Sequence, residues 1–282
     1  MRRLALLLVA VLALPACTSD DPDPSAGQSP TTTPSPSATA PPPAPPPPTP
    51  PALGACYRLS YGEALAPTNA DGPVSCEKGH TSQTFAVGRL DLVAGGHLLA
   101  VDSDAVRRQV ARRCPDELAP YVGATPEQLR LSLLRPVWFT PTIEESGAGA
   151  DWYRCDVIAV TGDRTLAKIE QNLSGALEGG AVRDAFAMCG TAEPGTDAFS
   201  HVLCRDEHSW RAISVLDLAD RGEEGRYPGQ QVVRDAGTEV CAEAAREIAS
   251  DALDYEWGYE WPTLDQWRAG QTYGRCWAPD PA

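Results

Sequence analysis

Nine cysteines constrain the fold of this chain more than any other feature of its 282 residues. Cys17 follows an N-terminal apolar run, and the other eight fall into two successive series of four. The successive gaps are 20, 38 and 41 residues in the first series and 15, 37 and 35 in the second. The two series are Cys56, Cys76, Cys114 and Cys155, and then Cys189, Cys204, Cys241 and Cys276. This repetition predicts one module used twice in an exported protein, with its cysteines consumed in disulfide bonds.

The N-terminus has the features of a lipoprotein signal peptide. Two arginines precede the apolar stretch Leu4–Leu14, which is shorter than the roughly 20 residues of a transmembrane helix. It ends in Leu-Pro-Ala before Cys17, which resembles the lipobox of bacterial lipoproteins. We predict a signal peptide at 1–16 and lipidation of Cys17, since this odd cysteine has no partner. An ordinary secretory signal cleaved after Ala16 is the alternative.

Residues 17–53 lack the apolar side chains needed for a core. They contain 14 of the chain's 27 prolines, mixed with serine, threonine and alanine. Such a composition is disordered with polyproline II character. At about 3.1 Å per residue it predicts a stalk of up to roughly 100 Å between the membrane and the folded part. Recognition by a polyproline-binding partner is the alternative, but no basic residue flanks these prolines.

The chain is strongly acidic, with a formal net charge of −15. This charge disfavours nucleic acid and anionic lipid surfaces as partners. One basic cluster falls on one face of a predicted helix, where we interpret it as a solvated surface. It consists of Arg107, Arg108, Arg112 and Arg113.

The two cysteine series carry other matched residues. The pentapeptides at 76–80 and 204–208 both have the form Cys-x3-His, and each precedes a run whose alternation predicts a strand. The third cysteine of each series falls in a helical pattern. Both series then reach Pro-Thr, where Thr142 and Thr263 are predicted to cap a single helical turn.

These patterns predict an α+β fold of two tandem, related small domains, at 54–162 and 163–282. Each would contain a few antiparallel strands, one main helix and two disulfides. Four cysteines allow three pairings per domain. We favour first with second and third with fourth, because separations of 20 and 15 residues suit neighbouring strands. The other bridge would then join the helix to the closing strand. The predicted bonds are Cys56–Cys76, Cys114–Cys155, Cys189–Cys204 and Cys241–Cys276.

The second series contains a longer motif. Tyr227-Pro228-Gly229 is followed by Cys241 on a predicted helix, and then by Pro-Thr-x3-Trp-x2-Gly-x5-Cys over 262–276. Together these residues resemble the septum-formation domain of actinobacterial envelope proteins. The resemblance covers nearly all of 189–282 and, more loosely, 54–160, which lacks the Tyr-Pro-Gly element and the tryptophan. In that family no activity is defined beyond a role connected with division septa, so the resemblance implies a site of action.

The sequence contains none of the common catalytic motifs: no Gly-x-Ser-x-Gly, His-Glu-x-x-His, phosphate-binding loop or dinucleotide fingerprint. Adjacent acids at Glu144/Glu145 and Glu223/Glu224 could do glycosidase chemistry, but we interpret them as solvated surface. We therefore predict that the protein is not an enzyme and that it uses no cofactor.

A zinc site at Cys76/His80 or Cys204/His208 is a further alternative. We disfavour a metal, because each segment runs into a strand without a second cysteine–histidine pair, and an oxidising exterior removes free thiolates. We expect both histidines to be turn residues that are hydrogen-bonded to the backbone.

Four aromatic residues alternate with other residues near the C-terminus. Tyr255, Trp257, Tyr259 and Trp261 would lie on one face of a strand. Such a face could stack on glycan rings or on a partner's apolar patch. The alternative is that it points into the core of the module.

These inferences favour a lipoprotein held by its lipid anchor at the extracytoplasmic face of the cell membrane. We expect a non-catalytic interaction or scaffold protein of the envelope, linked to septum formation, with division or cell-wall proteins as partners. The alternative is a receptor or sensor domain that binds wall glycan or a small ligand. An envelope hydrolase is the third hypothesis.

Overall fold

The computed structural model describes residues 46–280. The predicted signal peptide, the lipidation site at Cys17 and most of the predicted linker lie outside the described residues. Within 46–280, every helix is too short or too polar to cross a membrane.

The described chain up to residue 166 forms seven strands and four helices. The strands are β1 (Cys56–Tyr57), β2 (Ser82–Arg89), β3 (Val93–Ala94), β4 (His97–Leu98), β5 (Leu134–Phe139), β6 (Trp152–Thr161) and β7 (Thr165–Leu166). The helices are α1 (Tyr61–Ala64), α2 (Asp104–Val122), α3 (Pro126–Arg130) and α4 (Ile143–Gly147).

The rest of the described chain has a similar composition of elements. Its strands are β8 (Met188–Gly190), β9 (His201–Leu203), β10 (Trp210–Asp217), β11 (Gly258–Glu260) and β12 (Tyr273–Pro279). Its helices are α5 (Gly180–Phe186), α6 (Gln230–Ala236), α7 (Thr238–Ile248) and α8 (Leu264–Arg268). Short 3₁₀ turns lie at Gly162–Arg164, Ala219–Arg221 and Glu223–Gly225.

The two main sheets have the same strand order. The first runs β1-β2-β6-β5, with β7 added to β6, and the second runs β8-β10-β12-β11, with β9 added to β8. All pairs are antiparallel, and the central pair of each sheet contains a register shift, at Thr84/Ala86 and at Ala212/Ser214. The predicted α+β class with antiparallel sheets is therefore confirmed.

The main helix of each sheet buries one residue in four. In α2 these residues are Val106, Val110, Cys114, Leu118 and Val122. Counting from Cys241, the matching buried positions are Val233, Gly237 and Ala245. The second helix is divided into α6 and α7 at Gly237, where an added Cβ would lie 2.2 Å from the ring of Tyr259. Both sheets are thus covered by a helical segment at the same place.

The structure forms four disulfide bonds in the predicted connectivity, which are Cys56–Cys76, Cys114–Cys155, Cys189–Cys204 and Cys241–Cys276. The second bridge of each series joins the helix to β6 or β12, as expected. The bridge Cys56–Cys76 does not link two neighbouring strands as predicted. Cys56 lies on β1, but Cys76 lies in the loop before β2.

The predicted helix caps at Thr142 and Thr263 are also confirmed. Each hydroxyl accepts a hydrogen bond from the backbone N–H three residues later, and the side chain there accepts one from the N–H of the threonine. Such reciprocal caps satisfy donors that the helix itself leaves free. A local pattern in the sequence was therefore enough to place both turns.

One hydrophobic cluster extends across both sheets. It includes the buried face of α2 together with Phe186, Met188 and Trp277. The backbone joins the two parts directly, since Leu133 N donates to Phe186 O at 3.0 Å and Met188 N donates to Leu131 O at 2.9 Å. Residues 46–280 therefore pack as one compact unit. The division at 162/163 stays a prediction about the sequence repeat.

Candidate functional site

The two Cys-x3-His segments form matching turns. The His80 Nδ1 atom lies 3.2 Å from the carbonyl oxygen of Lys78, and His208 Nδ1 lies 2.7 Å from that of Asp206. Burial lowers the pKa of the His80 imidazole below its ordinary value. The predicted role of both histidines as hydrogen-bonded turn residues is confirmed.

The sulfur atoms beside these histidines are not available as thiolates, because Cys76 and Cys204 are in disulfide bonds. Among residues 46–280, one set of metal-type donors lies close together: Cys189, His208 and Asp280. Its sulfur is bonded to Cys204, and Asp280 forms an ion pair with Arg211. This set therefore offers one imidazole and one carboxylate that is already paired.

The two pairs of adjacent acidic residues lie at or near the surface. The Glu145 carboxylate accepts the N–H of Thr142 at 2.8 Å as part of a helix cap, and Glu144 is exposed. Glu223 and Glu224 are exposed beside Arg226, at 3.6 and 3.9 Å. This geometry agrees with the predicted role of these acids as surface residues.

The aromatic stripe lies against the helix rather than on a long free strand. Only Gly258–Glu260 forms a strand, so the predicted strand over 255–261 was too long. Tyr259 is buried, and its hydroxyl donates to the carbonyl of Val233 at 2.9 Å. Burial raises the pKa of this phenol to about 12. The core interpretation therefore holds for Tyr259.

The other three members of the stripe are partly buried, and two of them, Trp257 and Trp261, pack at the edge of the same cluster. Trp261 lies 5.8 Å from the Tyr259 ring, and the guanidinium of Arg234 lies 5.6 Å from the Trp261 ring centre. Trp257 packs on the side that contains the Cys241–Cys276 bridge. Pro262 ends the strand, since proline has no N–H for the sheet. Tyr255, Trp257 and Trp261 remain candidates for binding at their exposed edges.

Sequence reasoning missed two buried ion pairs. In each series an arginine directly precedes the fourth cysteine, and both arginines, Arg154 and Arg275, are buried. Arg154 Nε lies 3.1 Å from Asp156, and its guanidinium stacks between the rings of Tyr57 and Phe139 at 3.9 and 4.3 Å. Burial raises the pKa of Asp156, against the opposing effect of Arg154. The repeated Arg-Cys pair was the available signal.

The second ion pair belongs to a larger network. Arg275 lies 3.2 Å from Glu260, and His201 Nε2 lies 3.2 Å from the same carboxylate. Burial alone would raise the pKa of Glu260, but His201 and Arg275 together lower it to about 2. Arg135 is close enough that burial and the charge of Arg275 lower its pKa to about 10. Arg275 also donates to the carbonyl of Arg130 at 3.0 Å, so this network joins the two sheets.

An open groove lies between α2 and β5, with a volume of about 550 Å³. One wall is the face of α2 with Arg107, Arg108 and Ala111, and the opposite wall is the half-buried Trp138. The segment at 64–67 closes one side. Two of the four arginines predicted to form a solvated helix face therefore border an apolar concavity, which is the kind of site that binds small ligands.

Together, the two antiparallel sheets, their helices and the four disulfide bonds define a disulfide-bonded α+β protein. Comparison with protein families narrows that class. The family model described as "Septum formation" matches residues 138–276, from Trp138 on β5 to the fourth cysteine of the second series. At these positions the chain is similar to septum-formation domains, and the matched region begins before the predicted boundary at 163. Neither curated proteins nor solved structures give a significant match.

Proposed function

We propose that this protein is a non-catalytic interaction or scaffold protein of the cell envelope that acts in septum formation. The family match over 138–276 is the single observation that carries the proposal. The four disulfides are consistent with a location outside the cytoplasm, since such bonds persist in oxidising compartments. In this proposal a lipid on Cys17 holds the chain at the extracytoplasmic face of the membrane.

The use made of reactive side chains supports a non-catalytic role. All eight described cysteines are paired. His80 and His208 bond to backbone carbonyls, and His201 faces the ionised Glu260. These groups hold turns and join elements, which leaves them poorly placed as general acids or bases.

We propose further that 54–162 is a diverged copy of the module in the second series. The shared strand order, the matching register shifts and the four equivalent cysteines support this duplication. Trp138 lies opposite Cys155 just as Tyr259 lies opposite Cys276. The copies differ in the space beside these two aromatics, since one has an open groove there and the other has the aromatic stripe.

A localisation and crosslinking experiment tests the proposal. The full chain with a C-terminal fluorescent tag should concentrate at division sites, and crosslinking should enrich division or cell-wall proteins. Cys17→Ser should release the protein from the membrane without loss of its four disulfides, which separates anchoring from folding. A uniform envelope distribution with no enriched division or wall protein would contradict the scaffold role.

The groove favours a second candidate function, an extracytoplasmic receptor. Its volume falls within the range of roughly 300–1,000 Å³ that is typical of small-molecule sites. If the protein is a receptor, loss of the groove should abolish ligand binding while the fold and the disulfides persist.

A further inference from the structure

We propose that the groove between α2 and β5 binds an amphiphile that has a phosphate head group and an apolar chain. This inference goes beyond the scaffold role and does not depend on the lipidation of Cys17. It rests on the chemistry of the lining, the charge at the rim and a comparison with the matching face of the second series.

The lining is suited to an apolar chain. Carbon-rich side chains form most of it: Leu65, Pro67, Ala111, Pro136, Val137 and Trp138. Trp138 is half-buried and packs on the main hydrophobic cluster, which fixes the position of its ring. Apolar surface of this kind gains free energy when a hydrocarbon chain displaces water from it.

The rim is suited to an anion. Arg107 and Arg108 are exposed and adjacent, and among residues 46–280 neither has a carboxylate oxygen within 4.0 Å. Both guanidinium groups line the groove, so together they can balance the two negative charges of a phosphate and donate hydrogen bonds to its oxygens. Asp104 is the one carboxylate that lines the groove, so the lining residues carry a formal charge of about +1 on a chain of −15.

The second series shows that the fold does not require an empty groove. Counted from the strand register, Trp257 occupies the position of Pro136, and Trp261 occupies the position of Thr140. Counted from the helix cysteines, Arg234 occupies the position of Arg107, and its guanidinium lies over Trp261. In the second series, therefore, Arg234 already has the ring of Trp261 as its partner. In the first series the corresponding arginine and apolar space are free for a ligand.

Calorimetric titration with dodecyl phosphate below its micellar concentration tests the proposal. The protein is the full chain with Cys17→Ser, so that no attached acyl chain competes. We expect saturable binding at one site, weakened at least tenfold by Arg107→Glu/Arg108→Glu. The lysine pair R107K/R108K should retain most of the affinity. The matched control R112E/R113E makes the same charge change five residues further along the helix, outside the groove lining, and should alter affinity by less than twofold.

Pro136→Trp fills the groove with the residue found at the matching position and should also abolish binding. If this variant fails to fold, the exposed arginine pair still decides the question. Equal affinity for dodecyl maltoside would show an apolar site without anion recognition. Equal affinity for inorganic phosphate would show an anion site without chain recognition. Binding to vesicles of phosphatidic acid alone, with none to the monomer, would show a surface effect. Each of these three results would overturn the proposal.

Discussion

At the scale of single residues, one arginine from each sheet places a positive charge in the interior of the protein. Arg154 and Arg275 each bring a guanidinium into the core, and each finds a carboxylate within 3.2 Å. A buried ion pair adds little net stability, but removing one partner leaves an unpaired charge and is strongly destabilising. The two ion pairs therefore limit which residues can occupy these positions, but they add little to the free energy of unfolding.

Glu260 should make the stability of the protein depend on pH. Its pKa is about 2 in the folded state, below the ordinary 4.5. A carboxyl with a lowered folded pKa stabilises the fold above its unfolded pKa, and this contribution is lost as the pH falls toward the folded pKa. The difference corresponds to about 3 kcal/mol of unfolding free energy. We expect Glu260→Gln to be less stable by that order at pH 7.

Urea denaturation at several pH values measures this effect. The gap between wild type and Glu260→Gln should narrow steadily from pH 5 to pH 2. Glu256→Gln, an exposed neighbour outside the network, should follow wild type throughout. A gap that stays constant with pH would show that the network does not set the ionisation of Glu260.

At the scale of elements, the helical segments that cover the two sheets differ at one position that faces the sheet. Val110 in α2 and Gly237 between α6 and α7 lie at the same distance from the helix cysteine. The ring of Tyr259 occupies the space where a side chain would stand at Gly237. The glycine thus permits the close approach of the helical segment and the strand.

Gly237→Ala should be destabilising because the new Cβ would lie 2.2 Å from ring atoms of Tyr259. Overpacking of this kind typically costs about 1–3 kcal/mol. Gly147→Ala is the matched control, since Gly147 is the last residue of the short helix α4 but has no atom within 4 Å of its added Cβ. Thermal unfolding of both variants decides the matter, and an equal effect would show that the contact with Tyr259 is relaxed.

The helix-to-strand disulfide Cys114–Cys155 should stabilise the fold more than the disulfide Cys189–Cys204 does. It closes a separation of 41 residues, whereas Cys189–Cys204 closes 15. In the chain-entropy view these loops correspond to about 4 and about 3 kcal/mol. The double alanine variants should therefore rank in that order in denaturant unfolding without reductant. The reverse order would mean that the native packing, not the loop length, sets the effect.

Local patterns predicted much of these elements. Cysteine spacing favoured the disulfide pairing that the structure forms, and the Pro-Thr pairs predicted the helix caps at Thr142 and Thr263. The groove and the buried pairs could not be predicted in this way, because they depend on side chains brought together from distant segments. Arg107 and Trp138 meet only when α2 lies on β5. Arg135 approaches Glu260 across 125 residues of sequence only because the two sheets share a core.

On the scale of the whole molecule, the segment between the two cysteine series is part of the first sheet's packing. The N–H groups of Gly175 and Leu177 donate to the carbonyls of Tyr121 and Val122, at 2.9 and 2.8 Å. These carbonyls lie at the C-terminus of α2, where the helix itself supplies no donors. Ile169 pairs with His80 through two backbone hydrogen bonds. The linking segment thus completes the helix and the turn of the preceding half.

Residues 46–162 should therefore not fold alone, although they contain a full cysteine series. Truncation at 162 removes Leu173, Leu177 and Phe186, which are fully buried in the cluster with α2. It also leaves the α2 carbonyls and the Leu133 N–H without their partners, each worth roughly 1–3 kcal/mol when buried and unsatisfied. This loss is comparable with the entire stability of a small domain, which is about 5–15 kcal/mol.

Amide NMR spectra of three samples measure this dependence. The fragment 46–162 should give poorly dispersed signals, whereas 46–280 should give a dispersed spectrum and a single unfolding transition by both fluorescence and circular dichroism. Adding the fragment 163–280 to 46–162 should restore dispersion, because the backbone bonds that join the halves need no covalent link at 162. A dispersed spectrum from 46–162 alone would show instead that each cysteine series encodes an independent domain, and that the shared cluster forms only after both have folded.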